Sequence, residues 1–516
     1  MFDGLLAFGS SIGGAITPTT IVYTLGATLI GVIIGALPGL TATMGVALMT
    51  TMTLKMTPNE AILILICTYI GAIYGGSRTA ILLNIPGTPA SAASCLDGHA
   101  LAKQGLAGRA MGIATSGSVV GTWIGMLGLA LFTPVLGEMA LKFGAYEFFW
   151  LAVFGVVISG TLTGTDPLKG WIAGFLGLLI AAIGQEGMYA YNRFTFDIHD
   201  LSGGIGLIPA LVGAFGFAEV LTVMREKPRK YVINTLDRVI PRIRDVLQYW
   251  RTVIRSGLIG TFMGIVPGVG EDVAAWSSYA AARRASREKE KFGKGSVEGL
   301  MAAETGDNAS IPGAVIPVLT LAVPGSAPAA VLLAAMLIHG IRPGPLIMVE
   351  NPTFVYDVVA MMLLASFGIL FYGLTLTKLL VKILLVPRTL IMPVIFVLCT
   401  VGSFAIASRL FDIYVMLAFG IIGFVLRRFN YPIAPLVLGI VLGDILDKSL
   451  RRGLVLSDGD LTPFLTRPIS AVMAAAVLFM ILMSVPAFRR VFDRFAGAVT
   501  TAVKRPFAAL VKGGRD

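Results

Sequence analysis

The chain has 516 residues, of which 56% are hydrophobic and 13% charged, with a mean hydropathy of +0.84; this excludes a string of soluble domains and predicts a polytopic membrane protein. The formal net charge of +11 does not call for a nucleic-acid partner, because the basic residues gather in a few loops and the tail, as the positive-inside rule requires. Cys67, Cys95 and Cys399, with His99, His199 and His339, lack zinc-ligand spacing, so no disulfide framework, metal cluster or other cofactor is expected.

MFDGLLAFGSS lacks the basic start of a cleaved signal and is read as mature sequence. The first long apolar run, Ile21 to Leu37, ends at Pro38-Gly39, and Leu40 to Met52 forms a short leg closed by Lys55. Proline lacks an N–H and clashes with the preceding turn, so the helix stops there. A span over Ala61 to Ile73 leads into a second break, GGSRTAILLNIPGTPASAAS, from Gly75 to Ser94. These elements make a first repeat core, residues 1–110. Spans at Met111–Phe132, Phe148–Ile158, Trp171–Ile183 and Ile205–Leu221 connect it, through 111–224, to a basic segment, 225–256.

Residues 225–255 carry nine Arg or Lys against three acids, which places them in the cytoplasm together with Lys103 and Arg109. Val239, Ile243, Val246, Trp250 and Val253 fall at helical spacing among arginines. Such a helix lies on the membrane surface or packs on the bundle's own loops, and its moment fits both. Only 27 residues separate Arg255 from Arg283, with Pro267-Gly268, Glu271 and Asp272 among them, and both flanks are basic. At about 1.5 Å per residue they make two half-membrane legs, a re-entrant hairpin. A last tip follows at Pro324-Gly325, so 257–350 forms a second repeat core. Pro38 to Pro267 is an offset of 229 and Pro86 to Pro324 one of 238; the loop charges give the two copies opposite orientation.

Further spans lie at Val355–Leu374, Ile391–Ile406, Ile413–Leu426, Pro432–Ile445 and Ser470–Val485, within 351–486, before a basic tail, 487–516. If Arg427 and the tail are cytoplasmic, Lys448, Arg451 and Arg452 fall outside, against the charge rule. Either that segment is a hairpin that never crosses, or its cations serve a docking partner.

Broken helices within a membrane are tolerated where they line a cavity, and duplicated breaks point to a transport site. Helix N-termini beyond the breaks suit a carboxylate, and helix C-termini before them suit a cation. The candidate substrate residues are Pro38, Gly39, Thr41, Thr43, Arg78, Asn84, Pro86, Gly87, Thr88, Pro267, Gly268, Gly270, Pro324, Gly325 and Ser326. The candidate cation residues are Glu271, Asp272, Glu304 and Asn308, while Ser91 adds a hydroxyl and Asp307 another buried acid. The bland roles stay open: hydroxyls bonding their own helix, Arg78 bonding carbonyls at a helix end, Glu271 and Asp272 capping. Catalysis has no support, since the GxGD, HExxH and Ser-His patterns are all absent.

The stretches GVIIGALPGL, YGGSRTAILLNIPGTPASAASCLDGHALAKQG, RFTFDIHDLSGGIGLIPALVGAFGFAEVL, GIVPGVGEDVAAWSSYAAARR and AVPGSAPAAVLLAAMLIHGIRPGP resemble the large membrane subunit of the tripartite tricarboxylate transporters, the TctA type. ETGDNASIPGAVIP departs from that pattern in placing Gly306-Asp307 before Asn308. The resemblance implies a permease of the bacterial inner membrane, driven by a sodium or proton gradient. It works with a small four-span membrane subunit and a periplasmic solute-binding protein to import citrate, dicarboxylates or related carboxylates. By analogy it is an elevator-like carrier, all-α, with about 10–12 transmembrane helices plus re-entrant hairpins in inverted repeats. The alternatives are a stand-alone carboxylate carrier without a binding protein and, in a different class, an intramembrane enzyme.

Overall fold

Prolines just inside a helix start and hydroxyl or carboxylate caps before them divide this apolar sequence into discrete helices. Thr17 caps the helix that opens at Pro18, and Thr57, Pro58 and Glu60 form a capping box for the helix from Pro58. The computed structural model describes residues 2–37, 39–162, 166–187, 189–225, 239–241, 243–375, 377, 388–484 and 488. Its helices of ten or more residues are α1 (Phe2–Ala15), α2 (Pro18–Ala36), α3 (Ala42–Met52), α4 (Pro58–Leu83), α5 (Ala92–Lys103), α6 (Ala107–Ala140), α7 (Ala145–Leu162), α8 (Pro167–Ala181) and α9 (Leu207–Val223). They continue with α10 (Trp250–Ile265), α11 (Gly270–Ala285), α12 (Val297–Leu321), α13 (Ala327–Ile338), α14 (Phe354–Thr375), α15 (Arg388–Ala407), α16 (Leu410–Arg428), α17 (Ile433–Leu456) and α18 (Pro468–Ser484). A two-stranded ribbon pairs Gly184–Gln185 with Asn192–Arg193. Among the described residues, 6 helices are long and apolar enough to cross a membrane, and shorter apolar helices accompany them. The chain is a mostly helical, multi-pass membrane protein.

The second break starts later than the sequence suggests. Gly75 and Gly76 remain helical, and α4 runs on to Leu83. A Cβ at Gly75 would lie 2.4 Å from the Val32 carbonyl oxygen, and one at Gly76 2.4 Å from Thr88 Oγ1. These two glycines admit neighbouring segments; they do not end the helix. Helix α1 was not expected at all. Pro38 and the tail from 489 lie outside the described residues, as do 226–238 and Arg242 of the basic segment.

The rest of the basic segment resolves one ambiguity. A short turn at Ile243–Leu247 precedes α10, so Trp250 and Val253 belong to the helix that leads into Pro267 and not to one long surface helix. Arg109 of α6 pairs with Asp245 at 2.8 Å, and Gly112 of α6 faces the Val239 carbonyl and Pro241. In its described part the segment packs on the bundle itself.

Two units share one backbone design. Helices α2 and α10 each end in an extended residue before the Pro-Gly step, Leu37 (φ −86, ψ 108) and Val266 (φ −76, ψ 117). Helices α4 and α12 each end in a left-handed residue, Asn84 (φ 56, ψ 32) and Ala322 (φ 56, ψ 29). The Gly87 amide then donates to the Gly76 carbonyl at 3.3 Å, and the Gly325 amide to the Ala314 carbonyl at 3.4 Å. The 238-residue offset of the prolines is therefore also the offset of the backbone bonds.

The glycine contacts give the helix directions. Gly117, Gly121 and Gly125 of α6 meet Glu304, Thr305 and Ala309 of α12 in ascending order, so α6 and α12 are parallel. Trp123 of α6 reaches Ser366 of α14, whereas Thr115 lies against Gly373, so α14 is antiparallel to α6. Residues 59–63 of α4 lie beside 353–361, and Tyr74 beside Gly373, so α4 is parallel to α14. Hence α4 and α12 run in opposite directions, and so do the two units built on them.

Helix α17 carries the outlying cations at its far end. Gly174, Gly177 and Ala181 of α8 meet Pro435, Leu436 with Gly439, and Gly443 of α17, so the two helices traverse the bundle side by side. At the far end Arg193 grips Asp447 with two 3.0 Å bonds, Arg451 bonds Asp447 at 3.1 Å, and Lys448 pairs with Asp444 at 2.8 Å. Lys448 and Arg451 are thus ion-paired with acids at the end of α17 opposite Arg427. The groups are partly solvated, so Asp447→Asn is expected to cost about 1 kcal/mol or less, read as a small shift of thermal unfolding in detergent.

Candidate functional site

The Pro-Gly steps of the two units are built by close backbone approach. A Cβ on Gly87 would sit 2.1 Å from the Gly35 carbonyl oxygen, and one on Gly325 2.2 Å from that of Gly264. In the second unit the two steps bond directly, the Gly270 amide donating to the Gly325 carbonyl at 3.2 Å. Helix α3 of the first unit packs on α13 of the second, and α5 packs on α11 and α12. Both units thus contribute to one buried region around α4 and α12.

Arg78, near the end of α4, is fully buried. Its guanidinium donates to the Met111 carbonyl at 3.2 Å, to Thr115 Oγ1 at 3.3 Å and to Ser77 Oγ at 3.2 Å, and lies 4.3 Å from the Tyr74 ring centre. Its Nε–H has no partner. A guanidinium in apolar surroundings is costly unless its donors are used, so this open position is the natural place for an anionic oxygen. Thr88, packed against Gly76, also has a buried hydroxyl without a partner. Glu304 is already engaged: Ser94 donates to Oε1 at 2.5 Å and Ser118 to Oε2 at 2.9 Å. That makes it a poorer cation ligand than the sequence suggests.

A second cluster gathers at the other unit's tips. Tyr69 of α4 bonds both Glu271, in the first turn of α11, and Ser326 Oγ, the latter at 2.7 Å. Ser326 also caps α13. Asp307 is buried, with Oδ1 unpartnered, and its charged neighbours are Glu304, Glu271 and Asp272. Asn308 donates to the Glu304 carbonyl, leaving Oδ1 unpartnered. Asp272 is half-buried beside Glu271.

The other sequence candidates have structural places. Gly39, Gly268 and Gly270 take φ of 95, 77 and 70, which favours glycine. Thr41 caps α3, Thr43 is buried within it, and Ser91 bonds the Thr88 carbonyl. Asn84 and Pro86 are exposed, Asn84 serving as the left-handed end of α4, while Pro267 and Pro324 are buried. Tyr69, Ser94 and Ser118 escaped the sequence reading because nothing local marks a tyrosine or serine in an apolar helix as the partner of an acid in the other unit. Among the described residues, no group of three or more His, Cys, Asp or Glu is arranged to hold a metal ion.

Sequence comparison places this geometry. The profile of the tripartite tricarboxylate transporter TctA family matches residues 21–438, a stretch containing both units and every candidate site residue. The chain belongs to the TctA family. It is 35% identical over 482 residues to an uncharacterized 52.8 kDa protein of the TAR-I ttuC' 3' region of Agrobacterium vitis, covering 93% of this chain and 96% of that one. It is 34% identical over 236 residues to an uncharacterized protein of the TAR-II ttuC' 3' region of the same organism, covering 46% of this chain and 98% of that one. No solved structure matches. Membership implies a transporter rather than an enzyme.

Two further features of this TctA-family chain frame the site. Asp97 of α5 is fully buried; its Oδ1 accepts from the amides of Gly293, Gly295 and Ser296 at 2.8, 2.9 and 2.8 Å, and its Oδ2 from Tyr279 at 2.9 Å. One carboxylate thus ties α5 to the loop between α11 and α12. Asp97→Ala leaves these donors unsatisfied, and a loss of about 3 kcal/mol is expected, visible as a lower thermal midpoint in detergent. At the end bearing the ribbon, a cavity of about 530 Å³ is lined by Arg193, Asp444, Asp447 and Lys448 and reaches Ala322, next to the second unit's last tip.

Proposed function

We propose that this TctA-family chain is the large permease subunit of a binding-protein-dependent secondary transporter that imports tricarboxylates or related carboxylates, coupled to a sodium or proton gradient. The observation that carries this reading is the fully buried Arg78, with an unpartnered Nε–H, beside the Pro-Gly step of the first unit. A buried guanidinium with a free donor recognises carboxylate oxygens, and a carrier has reason to keep such a group inside an apolar bundle. The substrate lies between the tips of two inverted repeats, contacted by Arg78 and Thr88 and by the backbone around Gly39, Gly87, Gly268, Gly270 and Gly325. The short legs α3 and α11 are re-entrant hairpin arms, and movement of the tips against the outer helices is elevator-like. Its partners are a small four-span membrane subunit and a periplasmic solute-binding protein, and its place is the bacterial inner membrane.

The test is uptake of labelled carboxylates by cells expressing the chain with and without those two partners. Carboxylate uptake that requires all three supports the reading. Uptake by the chain alone points to the stand-alone carrier, and no uptake of any carboxylate by the full set overturns the proposal.

A further inference from the structure

The two units share a backbone but not their charges. In the register fixed by the Gly87–Gly76 and Gly325–Ala314 bonds, Arg78 corresponds to Ile316, Tyr69 to Asp307 and Ile66 to Glu304. In the register that matches Gly35 to Gly264, Ala42 and Thr43 correspond to Glu271 and Asp272. All four acids therefore stand in the second unit where the first has neutral residues, and the buried guanidinium stands in the first where the second has isoleucine. Inverted duplication by itself predicts two similar tips, so this segregation requires its own explanation.

Charge compensation is just as uneven. Glu304 has two serine donors and lies within the field of Arg78. The charges that act most on Asp307 are those of Glu304, Glu271 and Asp272; Tyr69, hydrogen-bonded to Glu271, stands close by. Buried carboxylates that act on one another are costly to charge together without a counter-charge. Asp307 Oδ1 and Asn308 Oδ1, on adjacent residues of α12, are both buried acceptors without a donor, oxygens that a cation would satisfy. Among the described residues no three acids, histidines or cysteines are arranged to hold a metal ion, and one carboxylate with one amide oxygen matches the charge of a monovalent cation. A small monovalent cation fits.

We propose that the two tips take ligands of opposite charge: the second unit binds a monovalent cation at Asp307 and Asn308, and the first binds the carboxylate at Arg78 and Thr88. Both halves rest on the proposed function, and the cation half is measured without carboxylate. The bound cation neutralises the acids across the shared centre, which links its occupancy to that of the anion site. Sodium and a proton share this chemistry, and the experiment separates them.

The experiment uses purified full-length protein in nanodiscs, without carboxylate, and follows binding of radioactive sodium and, separately, proton uptake on acidification. Wild type is expected to bind sodium saturably, with affinity at least about 100-fold weaker in Asp307→Asn and unchanged in Asp447→Asn. If the cation is a proton, sodium does not bind, and Asp307→Asn takes up one proton fewer than wild type. Asn308→Ala serves as a second probe if Asp307→Asn does not yield monodisperse protein. Sodium binding and proton uptake that are both indifferent to Asp307 and Asn308 overturn the inference, even where carboxylate uptake is intact. Absent carboxylate uptake with Asp307-dependent cation binding overturns the proposed substrate instead.

Discussion

Arg78→Gln is expected to lower carboxylate uptake by roughly 100-fold or more, while the protein still inserts and purifies as a monodisperse species. Removing one partner of a buried, hydrogen-bonded charge pair costs about 2–5 kcal/mol, and each 1.36 kcal/mol is about tenfold in rate or affinity. Glutamine is shorter and uncharged, so it loses the guanidinium charge and the terminal N–H groups that donate to the Met111 carbonyl and Thr115. Arg78→Lys separates the two contributions, because lysine restores charge without the planar fork. Uptake by Arg78→Lys is expected to stay well below wild type. If Arg78 serves only the packing of α4 against α6, Arg78→Gln transports normally once folded, and its defect appears in thermal stability alone.

The second large effect is steric. Gly325→Ala puts a methyl group 2.2 Å from the Gly264 carbonyl oxygen and 2.7 Å from Ala314 Cα, and Gly87→Ala puts one 2.1 Å from the Gly35 carbonyl oxygen and 2.8 Å from Gly76 Cα. All four neighbours are backbone, so no side chain can swing aside, and the tip must move off its helix at a cost of about 1–3 kcal/mol or more. Uptake is expected to be abolished by either substitution alone, although the two glycines belong to units running in opposite directions. Gly268→Leu acts similarly, through its φ of +77 and a Cβ contact of 2.6 Å with Ser159. Gly26, in α2 with nothing within 4 Å of a built Cβ, provides the control: Gly26→Ala is expected to be neutral or slightly stabilising. Normal transport by both tip variants contradicts the assignment of function to these steps.

Most of the frame was legible because proline and glycine act locally. The stops at Pro267 and Pro324 and the paired offsets follow from residue chemistry within a few positions, and the structure has helix ends at the two prolines. The limits of that reasoning show at Gly75-Gly76, where glycine serves a neighbour 12 residues on, Thr88 meeting Gly76, and breaks nothing. The site was only half legible. Arg78 and Glu271 announce themselves as charges in apolar helices, but the partners that decide their roles are distant in sequence. Ser94 and Ser118 lie 210 and 186 residues from Glu304, and Tyr69 lies 202 from Glu271. No periodicity encodes such pairings, so the sequence named Glu304 and Asp307 together as buried charges without showing that two serines hold Glu304 while Asp307 Oδ1 has no donor. Likewise the pairing of Lys448 and Arg451 with Asp444 and Asp447, the last of which also holds the distant Arg193, was not read from the sequence.

Gradient-driven carboxylate transport through the paired tips is tested most directly in proteoliposomes containing the purified chain, the small membrane subunit and the binding protein. Labelled carboxylate uptake is followed under an imposed sodium gradient, an imposed proton gradient and neither. Accumulation that depends on one gradient, collapses when an ionophore dissipates it and is absent with Gly325→Ala is the predicted result. Accumulation indifferent to both gradients, or equal in the Gly325→Ala protein, contradicts it.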